Sequence, residues 1–175
     1  AGWHLLLRGH GWGLPLITDE GEYAAAARVW SEGGLPYRDA FSQKPPNIFL
    51  IYRAAAALSA GRRGAGADCE APRALAASAA LATMLVLFLM IPTSWSFSGR
   101  LAAPAAFAAL AALPIGDYGF AANTEVFVNF FTALSALAVL RRAPFAAGLA
   151  AGAALMTKQT ALWTLLGFGL ALPLG

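Results

Sequence analysis

The sequence predicts an all-α protein, a polytopic bundle of transmembrane helices with interfacial, juxtamembrane helices in its first extracytoplasmic loop. Three observations lead there. Hydrophobic residues make up 59% of the 175 residues and charged residues only 12%, with a mean hydropathy of +0.61. A soluble domain carries roughly 25% charged residues. The charges are also segregated: residues 74–99 and residues 101–116 contain none. Such runs approach the roughly 20 residues that cross a bilayer as a helix, whose backbone hydrogen bonds are all internal.

The first stretch, 1–17, is a poor span, because Arg8, His4, His10 and several glycines interrupt it. It also lacks the uninterrupted apolar core of a signal peptide. Residues 18–46 form the polar heart, TDEGEYAAAARVWSEGGLPYRDAFSQKPP. Thr18 fits an N-cap, which puts Asp19 and Glu20 in a first helical turn, where carboxylates are favoured. Tyr23, Ala26, Ala27 and Trp30 recur at i, i+3, i+4 and i+7. That spacing makes one apolar face and predicts a helix lying in the membrane interface, with Tyr23 and Trp30 at headgroup depth. Gly33-Gly34 ends it, and Lys44-Pro45-Pro46 opens a short apolar helix over 47–60.

A glycine-rich, charged linker follows at 61–73, and then spans at about 74–91, 101–116 and 126–140. The last region, 144–174, is apolar but broken by Lys158-Gln159. A net charge of +3 without a basic stripe excludes nucleic acid as a partner. Cys69 is the only cysteine, so no internal disulfide forms. No zinc-ligand spacing occurs, and no metal ligands are assigned. Gly148 and Gly152 form a GxxxG pair that reads as close helix packing.

Asp19-Glu20-Gly21-Glu22-Tyr23, then Gly34-Leu35-Pro36-Tyr37-Arg38-Asp39, then Lys44-Pro45-Pro46 occur in that order. Together they resemble the first extracytoplasmic loop of the GT-C glycosyltransferases. The resemblance is narrower to the protein O-mannosyltransferase and lipid A aminoarabinose transferase branch, glycosyltransferase family 39-like. Asn123-Thr124-Glu125, opening a span, and Gly148 to Gln159, GLAAGAALMTKQ, fit the same family further on. Family members are several times longer, so the chain resembles an N-terminal portion. Residues 1–175 are then one partial GT-C transmembrane domain. Within it, 1–17 is a remnant of the first span, 18–73 the extracytoplasmic loop with interfacial helices, and 74–175 the transmembrane helices.

The resemblance implies a membrane enzyme that moves a hexosyl or pentosyl group from a polyprenyl-phosphate carrier to a lipid, glycan or protein acceptor. The partners are that donor, the acceptor and membrane lipids. The location is a bacterial plasma (inner) membrane, with the site on the extracytoplasmic face. Such chemistry needs a carboxylate to take the acceptor's proton and cations to hold the departing phosphate. By resemblance Asp19 is the catalytic aspartate, with Glu20 beside it, and Lys44 and Lys158 meet the carrier phosphate. Glu125 stands where the family often has aspartate and counts as substrate-binding. No cofactor is certain; the family leaves room for a divalent cation beside the carboxylates.

Each residue also has a plainer explanation. Asp19 and Glu20 favour a helix start, Lys44 suits a turn, Glu125 suits a first turn, and Lys158 can snorkel. Lys158 between apolar halves is the hardest to dismiss, since a membrane-buried lysine is costly. Topology offers an internal test. If 47–60 does not cross, Asp19, Lys44, Glu125 and Lys158 share the outer face, while Arg100, Arg141 and Arg142 lie inside, as the positive-inside rule prefers. Two other classes fit the composition: a transporter or flippase fragment, and a non-catalytic membrane scaffold. The fragment alone is expected to be inactive.

Overall fold

The computed structural model describes residues 12–59, 67–111 and 120–171. The expectations for 1–11, including His4 and His10, for 61–66, for 112–116 and for 172–174 lie outside the described residues. Among the described residues there are seven helices and no strand, only an isolated bridge between Pro36 and Ala40. The helices are α1 (Thr18–Ser31), α2 (Asn47–Ser59), α3 (Ala67–Met90), α4 (Phe97–Ala111), α5 (Thr124–Leu140), α6 (Pro144–Leu155) and α7 (Ala161–Ala171).

Helix α1 starts where the acidic pair predicted, but Thr18 is not its cap. Ile17 takes the cap position in extended backbone, and its N–H donates to Glu20 Oε2 at 3.1 Å. This is the acidic half of a capping box. The helix ends at Gly33, whose φ of +91° is left-handed and favours glycine. A Cβ at Gly34 would lie 2.7 Å from Val29 Cγ1 and 3.1 Å from Val29 O, so a larger residue there requires Val29 to shift. Tyr37 is left-handed too, at φ 73°. Its N–H donates to Ala40 O at 2.8 Å, and its hydroxyl to Lys44 O at 2.7 Å, which together hold the turn.

The linker expected over 61–73 is shorter than that, because α3 already begins at Ala67 and runs 24 residues. Pro72 lies inside it and removes one hydrogen bond near its start without ending it. Arg73 therefore sits on a helix and not in a loop. Helix α6 has proline at its first positions, where the missing N–H costs nothing.

Helix α5 is central, packed against α3, α6 and α7, while α1 lies on α2 and α2 on α3. The core joins Tyr23, Ala26 and Ala27 of α1 to Ile48, Phe49 and Tyr52 of α2, Ala76 and Ala79 of α3, and Ala122 and Phe127. The Tyr23 and Tyr52 rings meet edge to face, centroids 5.5 Å apart. Tyr23 is fully buried, so it is a core residue and not the headgroup anchor its spacing suggested. Trp30 is half-buried against the same core and carries the Arg53 guanidinium over its ring at 4.7 Å.

One helix among those described, Cys69–Met90, is long and apolar enough to cross a membrane, with 22 residues and a hydropathy of 1.9. The helices at the other expected spans are shorter: 15 residues for α4 and 17 for α5. At 1.5 Å per residue these cover about 22 and 25 Å of a hydrocarbon core about 30 Å thick. The GxxxG pair does not mediate packing among the described residues. A Cβ added at Gly148 or Gly152 meets nothing within 4 Å, and α6 instead buries Ala147, Ala150 and Ala154.

Candidate functional site

The two adjacent carboxylates of α1 do different things. Successive residues in a helix are rotated by about 100°, so Asp19 and Glu20 leave α1 in different directions. Glu20 points inward and is fully buried, as is Arg73. Arg73 Nη2 donates to Glu20 Oε2 at 2.6 Å and Nε to Oε1 at 3.1 Å, a two-pronged ion pair. The backbone N–H of Ala122 adds a bond to Oε1 at 2.8 Å, and Ile17 N–H one to Oε2. Arg73 also donates to the carbonyls of Leu14 at 2.6 Å and Pro15 at 3.0 Å. This buried pair ties together the segment before α1, the start of α3 and the segment before α5. Both oxygens of Glu20 are occupied by structural donors, so its position serves architecture.

Asp19 is half-buried and makes no hydrogen bond or ion pair with another described residue. One turn further along α1 lies Tyr23, whose buried hydroxyl is near the Thr124 side chain but makes no well-formed hydrogen bond. Burial, then the negative charges of Asp19, Glu125 and Glu22, push the Tyr23 pKa well above its ordinary value. Three acidic groups thus face one region. Lys44 brings positive charge to it, with Nζ 6.0 Å from the centre of the Tyr23 ring. The Lys44 segment is fixed from below, because Ser42 Oγ donates to Glu22 Oε1 and accepts the Lys44 N–H at 3.1 Å.

Glu125 and Lys158 form an ion pair. The pair is not buried, since the Glu125 side chain is 57% exposed and that of Lys158 25%. Lys158 sits in the turn between α6 and α7, and that turn is bound to the start of α2. Asn47 N–H donates to Met156 O at 2.9 Å, and Asn47 Nδ2 to Thr157 Oγ1 at 2.8 Å. Gln159 Nε2 reaches Gln43 O at 3.4 Å. These bonds bring Lys44 and Lys158 to the same end of the molecule.

Four of the five residues singled out from sequence, Asp19, Lys44, Glu125 and Lys158, therefore gather at one end, and Glu20 turns away from them. Sequence reasoning missed Arg73, which it left in a linker, and Tyr23, which it read as an interface anchor. It also missed Asn47 and Thr157, which join the two lysine-bearing segments. A lone arginine heading a charge-free stretch was the available signal for Arg73. Among the described residues no group of three or more His, Cys, Asp or Glu is placed to hold a metal ion. No family model, curated protein or solved structure matches the chain.

Proposed function

We propose that the chain belongs to a membrane-embedded glycosyltransferase of the GT-C kind, which moves a sugar from a polyprenyl-phosphate carrier to an extracytoplasmic acceptor. The observation that supports it best is the clustering of Asp19, a carboxylate without a partner among the described residues, with two lysines that reach the same end on different segments. A sugar bonded to a phosphate needs both parts. A carboxylate takes the acceptor's proton as it attacks the anomeric carbon, and cations balance the phosphate that leaves. Asp19 is the base in this reading, and Lys44 and Lys158 hold the phosphate. Glu125, now paired with Lys158, keeps that ammonium in place until the phosphate competes for it.

Charges lie at both ends of the bundle. Arg73, Glu125 and Lys158 lie at the site end of α3, α5 and α6, respectively. Arg100, Arg141 and Arg142 lie toward the opposite end, in the first turn of α4 and just after α5. Three arginines at that end fit a cytoplasmic face, while Arg28, Arg38, Lys44, Arg53, Arg73 and Lys158 lie on the outer side in this reading. In this reading α3, α4, α5 and α6 all enter the bilayer, and α1 and α2 lie along its outer face. The test uses the chain in lipid nanodiscs with a photoactivatable polyprenyl phosphate. Labelling should fall in Lys44→Met and Lys158→Met and persist in Asp19→Asn. Sugar transfer, assayed in membranes expressing the full reading frame, should be abolished by Asp19→Asn. Equal labelling of all variants, or transfer by Asp19→Asn near the wild-type rate, would overturn the proposal.

A further inference from the structure

Next to the exposed Glu125–Lys158 pair lie two buried hydroxyls, one from each half of the chain. Thr124 opens α5 and is 1% exposed, and its Oγ1 donates to Glu125 Oε2 at 3.1 Å. Tyr23 of α1 is wholly buried, and its ring is held edge to face by Tyr52. Its hydroxyl lies near the Thr124 side chain without a well-formed hydrogen bond. A buried hydroxyl without a partner has given up water and received nothing in exchange, so it costs stability. Phenylalanine would keep the ring contacts without that cost. The hydroxyl gains only in a state in which an acceptor turns to it. Burial, then the charges of Asp19, Glu125 and Glu22, raise its pKa, so it keeps its proton and stays a donor. Thr124 Oγ1 has spent its own proton on Glu125 but keeps lone pairs that can accept.

We infer that Tyr23 is a positioning residue for Glu125: when a phosphate draws Lys158 away, the Tyr23 hydroxyl donates to Thr124 Oγ1, whose own proton stays on Glu125 Oε2. This role rests on the proposed holding of phosphate by Lys158, and adds the fate of the carboxylate left behind. In the ion pair Lys158 balances Oε1 of Glu125. Once the ammonium turns to phosphate, that carboxylate has lost its cation and stands beside another anion. A chain of two hydroxyls polarises along its length, so the second bond strengthens the first. The gain falls only in the phosphate-bound state, and an interaction made in one of two states shifts the balance toward that state. Asp19 is also near the hydroxyl but acts on it as a charge at a distance, whereas Thr124 is the side chain it can reach.

The experiment titrates a fluorescent polyprenyl phosphate into nanodiscs holding the full chain or its variants, with thermal midpoints recorded alongside. Tyr23→Phe should bind about two- to twelvefold more weakly than the wild type, the equivalent of a hydrogen bond of about 0.5–1.5 kcal/mol. Its midpoint should hold or rise, because an unsatisfied hydroxyl has gone. Thr124→Val should lose at least as much affinity, and Thr124→Ser, which keeps the hydroxyl, should recover most of it. The loss in Tyr23→Phe should disappear in a Glu125→Gln background, where no carboxylate is left to stabilise. A loss that persists there, or that disappears in an Asp19→Asn background instead, would overturn the inference. A lower midpoint in Tyr23→Phe would do the same, since the hydroxyl would then have a structural partner already. Tyr23→Phe binding like the wild type while Lys158→Met binds weakly would remove the positioning role and leave the proposed function standing. If Lys158→Met also binds like the wild type, the holding of phosphate falls and the role of Tyr23 with it.

Discussion

At the scale of single residues, the largest effect is expected from the Glu20–Arg73 pair. Its ends are held by five or more donors and acceptors across three segments, and neither side chain reaches solvent. Removing one partner leaves the other charge buried and unpaired, which costs about 3–5 kcal/mol. Arg73→Met and Glu20→Gln should therefore each lower the thermal midpoint sharply in detergent. The double variant Glu20→Leu/Arg73→Met should recover part of the loss, because an apolar pair avoids the desolvation cost. Recovery would be absent if Arg73 acted mainly through the carbonyls of Leu14 and Pro15. Asp39 makes a second, milder case. Its carboxyl is held at about 2 by the Arg38 guanidinium and the Leu35 N–H. A carboxylate lowered in the folded state adds order above its ordinary pKa and loses it as pH falls through the folded value. Proteolysis of the Gly33–Ala40 turn should thus be slow at neutral pH and quicken as pH drops toward 2, while Asp39→Asn should be cleaved at one rate throughout. The acidic pair at 19–20 was legible in the sequence; its division of labour was not, because the direction each side chain takes depends on Arg73, a residue distant in sequence that only the fold brings near.

At the scale of elements, the helices themselves could be read from the chain. The i, i+3, i+4, i+7 face gave α1, the Pro-Pro step gave the start of α2, and charge-free runs gave the bodies of α3, α4 and α5. What periodicity could not separate is a face pressed on other helices from a face pressed on lipid headgroups, since both are apolar. Tyr23 shows the consequence: its stripe is real, but Tyr52 and not a membrane covers it. The start of α3 was misplaced because glycines, arginines and Pro72 suggest a linker, whereas a buried partner for Arg73 stabilises a helix there. The proposed orientation makes the element-scale prediction. With cysteines at Phe41, which is 91% exposed, and at Arg142 in a Cys69→Ser background, an impermeant maleimide added outside whole cells should label the first and spare the second. Ser42 is a poor probe because it is buried against Glu22. Labelling at both positions from outside would mean that α5 does not cross.

At the scale of the whole molecule, the cluster of candidate residues forms because two distant halves are fastened at one end. The first half brings Asp19, Tyr23 and Lys44; the second brings Glu125 and Lys158; Asn47 with Thr157, and Glu20 with Ala122, join them. None of these links is visible in the sequence, since each spans roughly a hundred residues and joins polar atoms with no pattern of their own. The Lys158–Glu125 pair is where this arrangement can be probed for mechanism. It is partly exposed, so its contribution to folding is small, about 0–1 kcal/mol. Lys158→Met keeps the side chain's length and removes its charge, and the thermal midpoint should move little. Binding of a polyprenyl phosphate should nevertheless weaken about tenfold or more, as expected for loss of a charge-assisted hydrogen bond of roughly 1.5–3 kcal/mol. Glu125→Gln should act in the opposite direction. In the proposed function the carboxylate competes with phosphate for the same ammonium, so its amide leaves Lys158 free and tightens binding. The double variant Lys158→Met/Glu125→Gln should bind like Lys158→Met, because the competition matters only while the ammonium is there. Titrating the three variants and the wild type with a fluorescent polyprenyl phosphate in nanodiscs distinguishes these outcomes. If Glu125→Gln tightens binding equally with and without Lys158, the carboxylate acts on the lipid directly and the pair has no part in holding the phosphate.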